Sequence, residues 1–125
     1  MILLPADTRK TGLLLEKLGV VKKARLISYY EQNGLQRISP FIEDLKGGKN
    51  VALVSSAGTP TISDPGYKLV RECLSQGTKV KAIPGPSALL ASLVCSGLPT
   101  DKFLFLGYLP KKRVNGSRFL EIFAQ

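Results

Sequence analysis

The sequence predicts an α/β domain, a mainly parallel sheet with helices on both faces. Three observations predict it. Short apolar runs alternate with segments of helical periodicity, the connections between them are brief, and Gly or Pro punctuates most boundaries. With 125 residues, 44% of them apolar and 22% charged, the chain has the size of one compact domain and the composition of a globular one.

Asp7 or Thr8 can cap a first helix through Leu13, Leu14, Leu15 and Leu18, stopped at Gly19 where a left-handed residue is favoured. Residues 25–30, R-L-I-S-Y-Y, read as a strand. Leu35, Ile38, Ile42 and Leu45 then recur at helical spacing up to Gly47-Gly48, with Pro40 marking the start of that helix. Val51-Ala52-Leu53-Val54 is the continuous β-branched run of a parallel strand buried on both faces. Beyond the next loop, Asp64 offers a capping oxygen just before Pro65, and Tyr67, Val70 and Leu74 form the stripe of a helix ending at Gly77. Val80-Lys81-Ala82-Ile83 reads as a further strand, residues 88–96 as an apolar helix closed by Gly97, and Phe103-Leu104-Phe105-Leu106 as the last strand.

Several chemistries are excluded or disfavoured. The chain has no His, which removes the commonest general base and metal ligand together, and no metal site is expected. Cys73 and Cys95 are too far apart for a C-x-x-C motif and read as buried free thiols, consistent with a reducing cytosol. No apolar stretch has the length of a membrane span, and the apolar run at residues 1–5 has neither the length nor the positive flank of a signal peptide, so a cytoplasmic location is expected. The net charge of +9 attracts a polyanion such as RNA, with basic clusters at Arg9-Lys10, Lys22-Lys23-Arg25 and Lys111-Lys112-Arg113. A solubilising surface would show the same balance, so charge alone leaves both readings open.

Two loops fall at the carboxyl ends of expected strands, where open α/β sheets bind ligands. Residues 55–66, S-S-A-G-T-P-T-I-S-D-P-G, join small residues that let a ligand approach the backbone to a helix start whose N–H groups favour a polar or negative partner. Residues 84–87, P-G-P-S, form a stiff wall. Either loop could instead serve only as a turn or corner. Neither is a P-loop or a G-x-G-x-x-G fingerprint.

Taken in order, D-T-R-K-T-G at residues 7–12, S-S-A-G-T-P-T-I-S-D-P-G-Y at 55–67, P-G-P-S-A at 84–88 and S-G-L-P-T-D-K-F-L-F-L-G-Y-L-P-K-K at 96–112 resemble the ribosomal RNA small subunit methyltransferase I family of the tetrapyrrole methylase superfamily. The likeness runs from about residue 2 to about residue 121. It implies S-adenosylmethionine-dependent methylation of a cytidine ribose 2'-oxygen in 16S ribosomal RNA of the small subunit, by a homodimer whose cofactor lies between two domains. On that analogy Ser55, Ser56, Ala57, Gly58, Thr59, Pro60 and Ile62 shape the floor of the cofactor site. Pro84, Gly85, Pro86, Ser87 and Ala88 flank it. Thr8, Arg9 and Lys10 stand on the RNA side, with Arg9 holding a phosphate, and Asp7 is the candidate acceptor for the hydroxyl proton. The sulfonium is already activated, so such an enzyme mainly positions its reactants and can do without His.

The chain also departs from the family. Ala6, Ser56 and Tyr30 stand where the family usually has Glu, Asp and His. A first strand with a G-T-P-I-G-N-type loop is expected before D-T-R and is not seen, and a second domain is expected after the connection begun at residues 117–125. Residues 1–116 thus read as an incomplete amino-terminal domain with unpaired sheet edges, weak in cofactor binding and inactive alone. The alternative is a non-catalytic basic RNA-binding module, or a remnant fragment of such an enzyme. A relative acting on tetrapyrroles is disfavoured by D-T-R, G-L-P-T-D and the basic surface.

Overall fold

The computed structural model describes residues 1–20 and 24–109, without the side chains of 31–36. The chain divides into two compact units, Met1–Ala88 and Leu89–Gln125. The first holds a parallel three-stranded sheet in the order β2-β1-β3, made of β1 (Ile2–Pro5), β2 (Arg25–Leu26) and β3 (Val51–Val54). It carries helices α1 (Thr8–Lys17), α2 (Glu31–Lys46) and α3 (Tyr67–Ser75). A parallel sheet with helical crossovers is the α/β architecture expected from the sequence.

The central strand is the one the pattern did not reveal. Ile2–Pro5 is too short, and too close to Pro5, to stand out as a strand, yet all four residues are buried and pair with both neighbours. Alternation sends Ile2 and Leu4 into a core with Tyr29, Phe41, Ile42, Leu69 and Cys73, beneath α2 and α3. Leu3 pairs in register with Leu26 on the opposite face, on the side where a Cβ built on Gly12 of α1 would lie 3.9 Å from the Leu26 side chain. Helices α2 and α3 cover the core face, while α1 has no buried residue.

Helix ends follow the glycines. After α1, Gly19 takes φ 66°, its N–H donates to Glu16 O, and Val20 N–H reaches back to Leu15 O. Gly48 and Gly77 close α2 and α3 with the same paired bonds. Each arrangement is a Schellman motif and satisfies carbonyls that the helix end would otherwise orphan.

Five expectations are corrected. β2 is two residues long rather than six, although Ile27 N–H to Leu3 O and Tyr29 N–H to Pro5 O carry its bonding onward. Pro40 lies inside α2 instead of starting it; its ring is exposed, where water can serve the carbonyl that loses a partner. The third helix starts at Tyr67 with Gly66 at its cap position, and no side chain caps it, so Asp64 is not the cap. Residues 80–83 and 103–106 form no strand: a β-prone run becomes one only where a neighbouring backbone takes its hydrogen bonds, and among the described residues none does. Ile83 is accordingly 84% exposed. Cys73 is buried as expected but Cys95 is exposed, because α4 (Ala88–Cys95), which begins at the boundary of the second unit, has no buried residue.

Candidate functional site

Parallel strands bring their carboxyl ends to one edge, and a small cleft opens there. It is lined by Ala6 beyond β1, Tyr29 beyond β2, Leu53 and Val54 of β3, and Ser55, Pro60, Asp64 and Pro65 of the following loop. Ala6 N–H donates to Val54 O at 3.3 Å, which ties the ends of β1 and β3 together. The lining is apolar apart from Ser55, the Tyr29 hydroxyl and the Asp64 carboxylate, so Asp64 is its one charged side chain.

The loop is held in an unfavourable conformation. Thr61 and Ser63 have φ of 73° and 56°, the left-handed region that costs a non-glycine residue of order 1–3 kcal/mol. Gly66 takes φ 133°, and a Cβ there would overlap the Leu53 side chain. The loop backbone thus packs directly against the Leu53 side chain of β3, and the positive φ favours glycine at this position.

The sequence-derived candidates separate into three places. Ser55 and Pro60 line the cleft, whereas Ser56, Ala57, Gly58, Thr59 and Ile62 lie in the exposed part of the same loop. Pro84, Gly85 and Pro86 are exposed, and neither they nor Ser87 and Ala88 are among the lining residues. Asp7 sits at the N-cap of α1, where its Oδ1 accepts from Arg9 N at 2.9 Å and Lys10 N at 3.1 Å. Those bonds, the one to Lys10 foremost, hold its carboxyl below the usual carboxylate range, with the charges of Lys10 and Arg9 adding to them. Thr8 opens the helix, and Arg9 and Lys10 project from its exposed first turn. Of the departures from the family pattern, Ala6 lines the cleft, while Ser56 and Tyr30 are exposed. Lys22, Lys23 and the 111–113 cluster lie outside the described residues.

Sequence reasoning missed Tyr29 and Asp64 as cleft residues. Tyr29 was legible only as the carboxyl end of a strand. Asp64 was assigned to a cap that the backbone leaves to Gly66. Among the described residues, no helix is long and apolar enough to cross a membrane.

Comparison with known proteins gives this edge of the sheet a lineage. A Thermotoga maritima protein named ribosomal RNA small subunit methyltransferase I is 47% identical over 120 residues, 96% of this chain and 53% of that protein. Proteins of the same name from Mesorhizobium japonicum and Escherichia coli O157:H7 are 50% and 47% identical over 106 residues, 85% of this chain and 35% and 36% of theirs. The chain therefore spans between about a third and about half the length of these relatives. The family model described as Tetrapyrrole (Corrin/Porphyrin) Methylases matches residues 7–124, from the α1 cap through the cleft loop and beyond. A match over that much of the chain, on a parallel α/β sheet, shows that it belongs to the tetrapyrrole methylase family.

Proposed function

We propose that this chain is part of an S-adenosylmethionine-dependent methyltransferase that modifies the 2'-oxygen of a cytidine ribose in small-subunit ribosomal RNA. The observation that carries the reading is the 47% identity, over nearly the whole chain, to a protein named for ribosomal RNA methylation. In this reading the protein is a cytoplasmic homodimer, and the cleft loop after β3 receives the cofactor.

The cleft is far smaller than the roughly 300 Å³ where pockets for whole drug-sized ligands begin, so in this reading its residues form one edge of a larger cofactor site rather than the whole of it. Exposed Ala57 and Gly58 leave the loop backbone open to a ligand, and Asp64 offers a carboxylate. When bound, the cofactor supplies a methyl group on an activated sulfonium. The chain's own task is alignment, which contributes through proximity and needs no His. Asp7 has the right residue type to take a hydroxyl proton, but its capping bonds and depressed pKa make it a weak base, better suited to fixing Arg9 and Lys10 at the start of α1. Arg9 and Lys10 would then contact RNA phosphates.

Isothermal titration with S-adenosylhomocysteine tests the reading, because the product binds without turnover. Saturable one-site binding supports it; no binding by a chain shown to be folded removes the cofactor from this chain's function. The second reading, a basic RNA-binding module, draws on the net charge of +9 and the exposed Arg9, Lys10 and Arg25. It predicts RNA affinity that falls steeply with salt and is indifferent to cofactor.

A further inference from the structure

We infer that residues 80–83 are a strap that docks as a fourth parallel strand along the free edge of β3, and that docking carries residues 84–87 to the cleft. The inference goes beyond the proposed function and does not depend on it.

The free edge is prepared for a strand. Ile2 N–H donates to Asn50 O and Ala6 N–H to Val54 O, so the even-numbered residues of this segment face β1. Alternation turns the N–H and C=O of Val51 and Leu53 to the other edge, where among the described residues no backbone group meets them. Both residues are half-buried, which makes unpaired backbone costly there.

The chain is also delivered to that edge. Helices α2 and α3 end in the same turn. Gly47, Gly48 and Lys49 N–H donate to Glu43, Leu45 and Asp44 O, and Gln76, Gly77 and Thr78 N–H donate in the same way to Glu72, Leu74 and Cys73 O. Residues 47–50 then lead from α2 to Val51, and residues 76–79 lead from α3 to Val80 over the same distance in sequence. The two helix ends lie side by side, with Lys46 Nζ donating to Gln76 Oε1 at 3.0 Å, and both helices feed one core on one face of the sheet. A right-handed crossover takes α2 from β2 past β1 to β3, so α3 on the same face takes the chain onward beyond β3 and not back.

Equal turns set the register, with Val80 beside Val51 and Ile83 beside Val54. In it Val51 donates to Lys79 O and accepts from Lys81 N–H, while Leu53 donates to Lys81 O and accepts from Ile83 N–H. Val80 and Ala82 join Val51 and Leu53 on the core side. Pro84 has no N–H to give and comes where the ladder ends, beside Ser55 of the cleft. The strap is undocked in this structure, with all four of its residues exposed.

Two-dimensional NMR of the full chain, native and Lys81→Pro, tests the inference. The variant lacks the N–H that Val51 O would take and cannot join a ladder at that position. Circular dichroism establishes that it is folded. The Val51 and Leu53 amides of the native chain are expected to exchange with deuterium roughly tenfold more slowly than in the variant, whereas Ala52 and Val54, bonded to β1, exchange alike in both. Equal exchange of Val51 and Leu53 in the two folded proteins overturns the inference. Should Lys81→Pro fail to fold, nuclear Overhauser contacts in the native chain decide instead: backbone contacts between residues 51–54 and 80–83 support docking, and their absence overturns it.

Discussion

The ring of Tyr29 stands 6.3 Å from that of Phe41, centroid to centroid, and is tilted 54° to it. Tyr29 also lines the cleft, so one side chain is at once part of the core and part of the site wall. Phe41 is 3% exposed, and Phe41→Ala removes the ring that supports this wall. The variant is expected to lose roughly 3–5 kcal/mol of stability, measured by urea unfolding. Ligand affinity should fall at the same time, although Phe41 is not a lining residue.

Gly66 joins the cleft loop to α3 under two independent constraints, a positive φ and a close approach to Leu53. Gly66→Ala is expected to cost roughly 2–4 kcal/mol from backbone strain and overpacking together. Pairing it with Leu53→Ala should recover the steric part but not the conformational part. A double-mutant cycle in urea checks this, and strictly additive losses would contradict the contact.

Asp7 ties pH to the stability of α1. Its pKa is lowered on folding, so the cap contributes stability above the unfolded carboxylate value of about 3.9, and that contribution is lost as pH falls through the lower folded value. Asp7→Ala should unfold at lower urea than the native chain at pH 7, with the gap closing in acid. Asp7→Asn keeps a good capping oxygen and should lie between the two.

The two cysteines should react in sequence. Cys95 is exposed, whereas Cys73 is buried and its thiol is pushed up in pKa, first by burial and then by the charge of Glu72. A thiol reagent at neutral pH is expected to label Cys95 promptly and Cys73 only on unfolding. Because the folded pKa of Cys73 is raised, the stability it contributes is complete below the unfolded thiol value, near 8.5, and is lost as pH rises through the folded one. Mass spectrometry of the labelled peptides decides the order.

What was legible in the sequence was mostly local. Gly19, Gly47-Gly48 and Gly77 ended helices where expected, because a left-handed C-cap is a short-range requirement that the sequence states directly. The VALV strand and the loop after it were legible for the same reason. Ile2–Pro5 was not, since four apolar residues ending in Pro carry no periodicity, and only burial between two neighbours makes them a strand. Residues 80–83 erred the other way: their β preference is real, but a ladder needs a partner that no local pattern reports. At the site, Ser55 and Pro60 were found through loop chemistry. Tyr29 was missed because it reaches the cleft from a segment distant along the chain, and Asp64, although inside the loop singled out, because it was assigned to a helix cap.

The position of β1 in the sheet also dictates an order of assembly. The strand that joins the sheet together is made before both of its neighbours, yet Ile2 pairs with Arg25 on one side and Val51 on the other. Its backbone cannot be satisfied by anything near it in sequence. An emerging chain must therefore keep this apolar stretch waiting until β3 has left the ribosome, and closing that loop costs entropy before any ladder repays it. β1 is thus a late-folding element although it is made before both of its partners, exposed meanwhile to chaperones and to other nascent chains.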